Sequence, residues 1–268
     1  MNDYKNLRVC VIGGLGTMGS WSKNLFQEHG HVVSISDLIY SGCNKSNITM
    51  SAESDIIVLA VPIGEQDKVL RDILPVLTDK QLLVELSAVK TIFDKQFFSS
   101  EVRTLRLHPL FSPSVLPFSN KEKNCIVCSD TTSPLSAYVS SILEESGLKL
   151  TQLSTTQHDQ IMATVQGLTH FQIISNAITM NTMRFDWSSR SLLSPVTTEL
   201  VFAATSRMLS QNPLVSAEIM IYNPFVKNAI QEFHRSCALI SDLIHNRDVK
   251  ALTTAIATAY QTLTATDT

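Results

Sequence analysis

In the first half of the chain, apolar residues gather in short unbroken runs; in the second half they follow long stretches with helical spacing. The runs at 7–13 (LRVCVIG), 31–37 (HVVSISD), 55–61 (DIIVLAV), 81–87 (QLLVELS), 102–108 (VRTLRLH) and 124–129 (NCIVCS) predict β-strands. Their continuous apolar character is that of strands covered on both faces, as in a parallel sheet. Helical patterns at 17–29, 65–76 and 134–146 lie between them, with Gly30 and Gly147 placed where a left-handed residue ends a helix. From about residue 154 the strand signal stops, and helical patterns cover 156–182, 190–211, 213–245 with an interruption near Pro224, and 247–263. Stretches such as LVFAAT and AEIMIY are apolar on more than one side, so these helices are expected to pack on one another and on a second subunit. The predicted fold class is an α/β N-terminal domain with a mostly parallel sheet, residues 1–153, followed by an all-α domain, residues 154–268. The chain shows neither internal repeats nor low-complexity segments.

One turn in this pattern carries chemistry. VCVIGGLGTMGSW reads as strand, glycine turn, helix, and Gly14-x-Gly16-x-x-Gly19 within it matches the spacing that lets a backbone approach a pyrophosphate. Leu15, Thr17 and Met18 fill the loop, and the helix start offers free N–H groups to phosphate. The second strand ends in Asp37, where an acid accepts hydrogen bonds from ribose hydroxyls and repels a 2′-phosphate, which favours NAD over NADP. Val61 and Pro62, ending a later strand, stand where such sheets present backbone to the nicotinamide half.

Composition removes several other functions. With 44% hydrophobic and 17% charged residues and a formal net charge of −3, the chain is globular and lacks the basic footprint of a nucleic-acid binder. No run approaches a membrane span, and the N-terminus lacks a signal-peptide layout, so a cytoplasmic location is expected. Five cysteines suit a reducing compartment. Cys125 and Cys128 form a C-x-x-C, but in a strand, positions three apart face opposite ways, so neither redox nor zinc chemistry is expected and no metal site is assigned.

The run LRLHPLFSP (105–113) places His108 and Pro109 at the end of an apolar strand. Pro109 holds the preceding residue extended, so His108 is fixed, and a fixed imidazole is either packed or used. On the long helix starting near 156, Gln166 and His170 fall one turn apart on one face. His158 is twelve residues before His170, about 120° around a regular helix, and is read with Asp159 as a helix-start and domain-contact residue. Arg207 sits on a helix otherwise nearly free of charge, and its planar guanidinium matches a carboxylate.

Together with VIGGLGTMG, the segments VELSAVK (84–90), LHPLFSP (107–113), QHDQIMATVQGLTHF (157–171), SRMLSQNP (206–213) and AEIMIYNP (217–224) resemble the prephenate dehydrogenases, in family order and across nearly the whole chain. The resemblance implies a Rossmann domain, a helical dimerisation domain in a homodimer, and NAD-dependent oxidative decarboxylation of prephenate to 4-hydroxyphenylpyruvate, a step of tyrosine-type biosynthesis. It makes His108 the catalytic base and Arg207 a substrate-binding residue, with Gln166 and His170 meeting the substrate beside it. The chemistry agrees: a neutral imidazole suits the hydroxyl proton released as C4 becomes a carbonyl. Loss of CO2 then restores an aromatic ring.

The sequence departs from the family where serine usually precedes Val-Lys; Ala88 stands there, and Ser112 replaces a glycine after His-Pro-x-Phe. Either Ser87 or Ser112 restores the hydroxyl contact, or the substrate is 4-amino-4-deoxyprephenate, with an amine at C4; arogenate is a further possibility. A β-hydroxyacid dehydrogenase is disfavoured because QHDQIMATVQGLTHFQIISNAITMN contains no lysine. A non-catalytic NAD(H)-binding regulator remains the other class. The length leads to the expectation of a single-activity enzyme with neither a mutase module nor a regulatory domain.

Overall fold

A computed structural model of the chain describes residues 4–38, 46–113, 123–129, 133–189 and 194–264. Seven strands form one sheet in the order β2-β1-β3-β4-β5-β6-β7. They are β1 (Arg8–Ile12), β2 (Val32–Ser36), β3 (Ile56–Leu59), β4 (Leu82–Glu85), β5 (Arg103–Pro109), β6 (Lys123–Val127) and β7 (Leu148–Gln152). All neighbours run parallel except β5 and β6. The central strands β3 (IIVL) and β4 (LLVE) are buried at every position, which is why all but Glu85 at the end of β4 are Ile, Val or Leu. β7, LKLTQ, was not expected: only Leu148 of it is buried, and its polar alternation is that of an edge strand.

Helices α1 (Thr17–Glu28), α2 (Asn47–Ala52), α3 (Ile63–Ile73), α4 (Asp94–Phe98) and α5 (Pro134–Glu145) connect the strands. They enclose two apolar clusters. One joins Val9, Val11, Phe26, Val58, Val84 and Leu105 to α5, and the other joins Cys10, Ile57, Leu83 and Phe93 to α3. Gly30 and Gly147 adopt φ of 80° and 82° at the ends of α1 and α5. Cys125 lies in β6, while Cys128 falls just beyond it; both are free and buried, and burial pushes their thiols up to about 12 and about 11.

After β7 the chain is helical: α6 (Thr155–Met162), a π segment (Ala163–Leu168), α7 (Thr169–Thr182), α8 (Val196–Leu209) and α9 (Pro213–Tyr222). The first compact unit contains the sheet and these helices, ending at Pro224; Phe225–Thr268 forms a second. That second unit holds α10 (Val226–His245) and α11 (Val249–Thr264), which pack on each other. Within it Leu239, Ile244, Ile256 and Tyr260 are exposed. Among the described residues, no helix is long and apolar enough to cross a membrane.

Candidate active site

The parallel strands β1, β3, β4 and β5 end at the same edge of the sheet, so the glycine loop, Val61-Pro62, Ser87 to Lys90 and His108 are delivered there together. In the loop, the tight turn falls one residue before the spaced motif. Gly13 has φ of 81°, and a Cβ there would lie 2.5 Å from the Ala60 carbonyl oxygen. A Cβ on Gly14 would lie 2.6 Å from the Ile35 side chain, and one on Gly19 would lie 2.1 Å from the Gly13 carbonyl, which fixes how closely α1 meets β1. Gly16 caps α1 without a side-chain bond, leaving the first turn from Thr17 and Met18 to present bare N–H groups. Asp37 follows β2, and its carboxylate accepts the Leu15 N–H at 3.0 Å, tying the acid to the loop. Pro62 opens α3, whose first N–H groups, Ile63 and Gly64, donate to Glu218 of α9 at 2.8 and 3.0 Å.

His108 protrudes past the end of β4 and is held instead by β6, opposite Ile126, with the strand running through Pro109. Its ring is buried, and its Nδ1 lies 2.8 Å from Nε2 of His158. His158 in turn places Nδ1 2.7 Å from Asp159 Oδ1. The Asp159 carboxylate accepts the Lys90 N–H at 3.0 Å, the Thr91 N–H at 2.8 Å and the Thr91 hydroxyl at 2.6 Å. These bonds assign the tautomers. Asp159 can only accept, so His158 Nδ1 donates; His158 Nε2 is then the acceptor, and His108 Nδ1 donates to it. His108 Nε2 is left with its lone pair. Burial, then the proximity of His158 and of Lys90, holds His108 well below the usual histidine range, so the ring is a neutral base. Burial alone would raise the Asp159 carboxyl, but the bonds from His158, Thr91 and Lys90 bring it below its ordinary value.

Beneath His108 lies a network of buried charge. Lys90 is inaccessible to solvent, and its Nζ donates to Glu85 at 2.7 Å and to the carbonyl of Leu107, the residue before His108, at 2.8 Å. Arg106, paired in register with Glu85, donates to it at 3.4 Å, to Asp94 at 2.6 Å and to the Lys90 carbonyl at 2.5 Å, and stacks 4.4 Å over Phe97. Thr155 of α6 donates to Asp94, and Asn223 donates to the Asp159 carbonyl, so the helices after β7 are bolted to the same network.

The remaining sequence-derived residues are distributed around this centre. Ser87 donates its hydroxyl to the Val89 carbonyl at 2.9 Å, so that group is already engaged. Ser112 is half-buried, just before residues outside the described set. Gln166 lies in the π segment and His170 in the first turn of α7; both are half-buried, with Gln166 Oε1 and His170 Nδ1 buried and unpartnered. Burial lowers the pKa of His170. Arg207 is half-buried in the last turn of α8, which packs on α7.

Comparison with known proteins bears on this arrangement. Residues 154–258 match the family model described as the prephenate dehydrogenase dimerization domain. The probable arogenate/prephenate dehydrogenase of Methanocaldococcus jannaschii is 29% identical, over 91% of this chain and 58% of that protein. The helical half of the chain matches this family's dimerization domain, and the whole chain resembles prephenate and arogenate dehydrogenases. A 4-amino-4-deoxyprephenate dehydrogenase of Streptomyces pristinaespiralis is 20% identical, over 90% of this chain and 86% of its own length. In fold, the chain resembles the prephenate dehydrogenase of Aquifex aeolicus, solved in complex with hydroxyphenyl propionate and NAD+. The TM-score is 0.73 at 16% identity, covering 98% of this chain and 99% of that one. The chain spans less than two thirds of the length of the archaeal relative and of the bacterial T-proteins it also matches.

Sequence reasoning left Glu85, Lys90 and Arg106 out of the site, and it took His158 and Asp159 for helix-start and domain-contact residues only. The helical arithmetic that set His158 apart from His170 assumed a regular helix. The π segment between them adds one residue, worth about 100°, so the offset falls from about 120° to about 20°. The same helical stripe thus carries His158, which holds His108, and His170.

Proposed function

We propose that the chain oxidatively decarboxylates prephenate, or a close analogue, to the corresponding arylpyruvate with NAD as oxidant. The observation that carries this reading is the bonded series Asp159, His158, His108, which turns the lone pair of a buried neutral imidazole away from its support. The glycine loop fits a dinucleotide: Gly13, Gly14 and Gly19 stand where any Cβ would collide, and α1 starts without a side-chain cap. Asp37 at the end of β2 would hold the ribose and favour NAD. NAD held by this loop would supply the acceptor for the hydride leaving C4 of the substrate.

The chain's own residues do the rest. His108 Nε2 accepts the proton of the C4 hydroxyl as the carbonyl forms, and the cation this creates is stabilised through His158 by the Asp159 carboxylate. Arg207 pairs with a carboxylate of the substrate, with Gln166 and His170 beside it. The ring carboxylate is then a vinylogous β-keto acid, and CO2 leaves as the ring becomes aromatic. The exposed apolar residues of α10 and α11 support a homodimer through the helical domain, residues 154–268, adjoining a Rossmann domain of residues 1–153. Light scattering checks the dimer.

The test is NADH formation from prephenate by the purified chain and by His108→Asn. Turnover that drops by about 10²–10⁴-fold while NAD affinity holds supports the assignment. An undiminished rate rejects it, and intact NAD binding with no turnover of any substrate points to a regulator. A second reading, 4-amino-4-deoxyprephenate as substrate, is favoured by one observation: Ala88 lacks the family hydroxyl, and Ser87 gives its own to Val89.

A further inference from the structure

We infer that Glu218 biases the dinucleotide site toward the oxidised cofactor, its buried carboxylate attracting the cationic nicotinamide ring and not the neutral ring of NADH. The inference rests on the dinucleotide reading above and adds to it a residue of α9, from the helices after β7. Glu218 is 8% exposed, and its two carboxylate oxygens accept the Ile63 N–H at 2.8 Å and the Gly64 N–H at 3.0 Å. The start of α3 is thus capped from another element, its own N-cap, Pro62, offering no side-chain bond.

The sheet order shows why that start matters. β1 is flanked by β2 on one side and β3 on the other, so the strand order reverses between β1 and β3, and a ligand crevice opens beyond their ends. The loops after these two strands touch: a Cβ on Gly13 would lie 2.5 Å from the Ala60 carbonyl oxygen. Ala60 leads through Val61 and Pro62 into α3, so the start of that helix walls the crevice opposite the start of α1. A bare helix start carries about half a positive charge, which suits phosphate and opposes a cationic ring. α1 is left bare, and α3 is given an acid. A full negative charge against about half a positive one leaves the α3 wall negative. The two walls then match the two parts of the dinucleotide, pyrophosphate on one and nicotinamide cation on the other. Glu65, in the first turn of α3, is exposed, so water screens its charge; the burial of Glu218 preserves the effect of its own. Hydride transfer removes the positive charge of the ring, so the attraction holds the oxidant and lets the reduced product go.

Calorimetric titration of NAD+, NADH and ADP-ribose into the unaltered chain, Glu218→Gln and Glu218→Asp tests this role without turnover. Glu218→Gln keeps one accepting oxygen for α3 and drops the charge, so Kd for NAD+ should rise about threefold to tenfold. NADH and ADP-ribose, neither of which carries the cationic ring, should change less than about twofold. Glu218→Asp keeps the charge and should retain most of the NAD+ affinity. A loss shared equally by all three ligands overturns the inference, because it would mean that Glu218 only shapes the loop. An unchanged Kd for NAD+ in Glu218→Gln overturns it as well. The unaltered chain gives an outcome that needs no variant to fold: NADH bound more than about tenfold tighter than NAD+ would contradict a negative wall at the nicotinamide. Binding of none of the three rejects the dinucleotide reading itself, and the role of Glu218 with it.

Discussion

His158 Nε2 stands 2.8 Å from His108 Nδ1, with the first ring 0% and the second 5% exposed. Two imidazoles this close, shielded from water, cannot share protons freely; the Asp159 carboxylate on the far side of His158 decides which nitrogen carries each one. His108 is thereby held in one tautomer and one orientation.

Replacing His158 with Phe keeps the volume but removes the acceptor, so His108 Nδ1–H is left unpaired and the ring can flip. We expect kcat to fall by at least about tenfold, with NAD affinity unchanged. The pH profile gives a second readout. His108 must be neutral, and its pKa lies below the usual 6.5, so activity of the unaltered chain should persist as pH falls through 6.5. In His158→Phe one of the lowering influences is gone, and the acid limb should move to higher pH. An acid limb that stays in place would show that His158 does not set the base.

What the sequence showed and what it hid follow from how local each signal is. The glycine loop and the strand ending at His108 were legible because a few adjacent residues define them; only the placement of the tight turn at Gly13 rather than Gly14 needed coordinates. β7 was missed because an edge strand with polar alternation does not stand out from a loop. His158 and Asp159 do stand near a helix start and contact the sheet-bearing half, but the angle between His158 and His170 was misjudged because a π turn leaves no mark in composition, and one residue of slippage moves a side chain about 100°. Glu85 and Arg106 offered an unused clue: a carboxylate and a guanidinium, each inside an apolar strand, require partners, and the register sets them side by side.

That network leads to a stability prediction. Lys90→Met removes the cation that neutralises Glu85 at 2.7 Å, leaving the buried carboxylate with the Ser87 N–H at 2.6 Å and, as its remaining charged partner, Arg106 at 3.4 Å. Urea unfolding should show a loss of about 3–5 kcal/mol. Adding Glu85→Gln to Lys90→Met should recover part of it, because the uncompensated charge is gone. A double variant as unstable as the sum of the singles would mean that the two groups do not interact.

Acid should destabilise the fold in two windows. His108 has a folded pKa below its unfolded 6.5, so below 6.5 the unfolded chain binds the proton more readily and stability falls until the folded pKa is passed. His31 and His170, also lowered by burial, act in the same direction. Asp159, lowered from 3.8, contributes stability above that value that is lost as pH drops through its folded pKa. Melting temperatures should therefore decline on acidification from pH 6.5, and His108→Asn should flatten the first part of the decline. An identical slope in that variant would remove His108 from the account.

Glu218 offers the most direct test of how the helices after β7 are attached to the sheet. Its carboxylate accepts the first two N–H groups of α3, so it caps that helix from another element and complements the positive end of its dipole. Glu218→Gln keeps the shape but loses the charge and one accepting oxygen, and should cost about 1–2 kcal/mol in urea unfolding. Gly64→Ala attacks the same joint sterically, since its Cβ would lie 2.9 Å from Glu218 Oε1 and 3.1 Å from the Tyr222 hydroxyl. If the contact positions α9 against α3, the two changes should be less than additive when combined, because each disrupts the same bond. Full additivity would mean that the carboxylate and the glycine act independently.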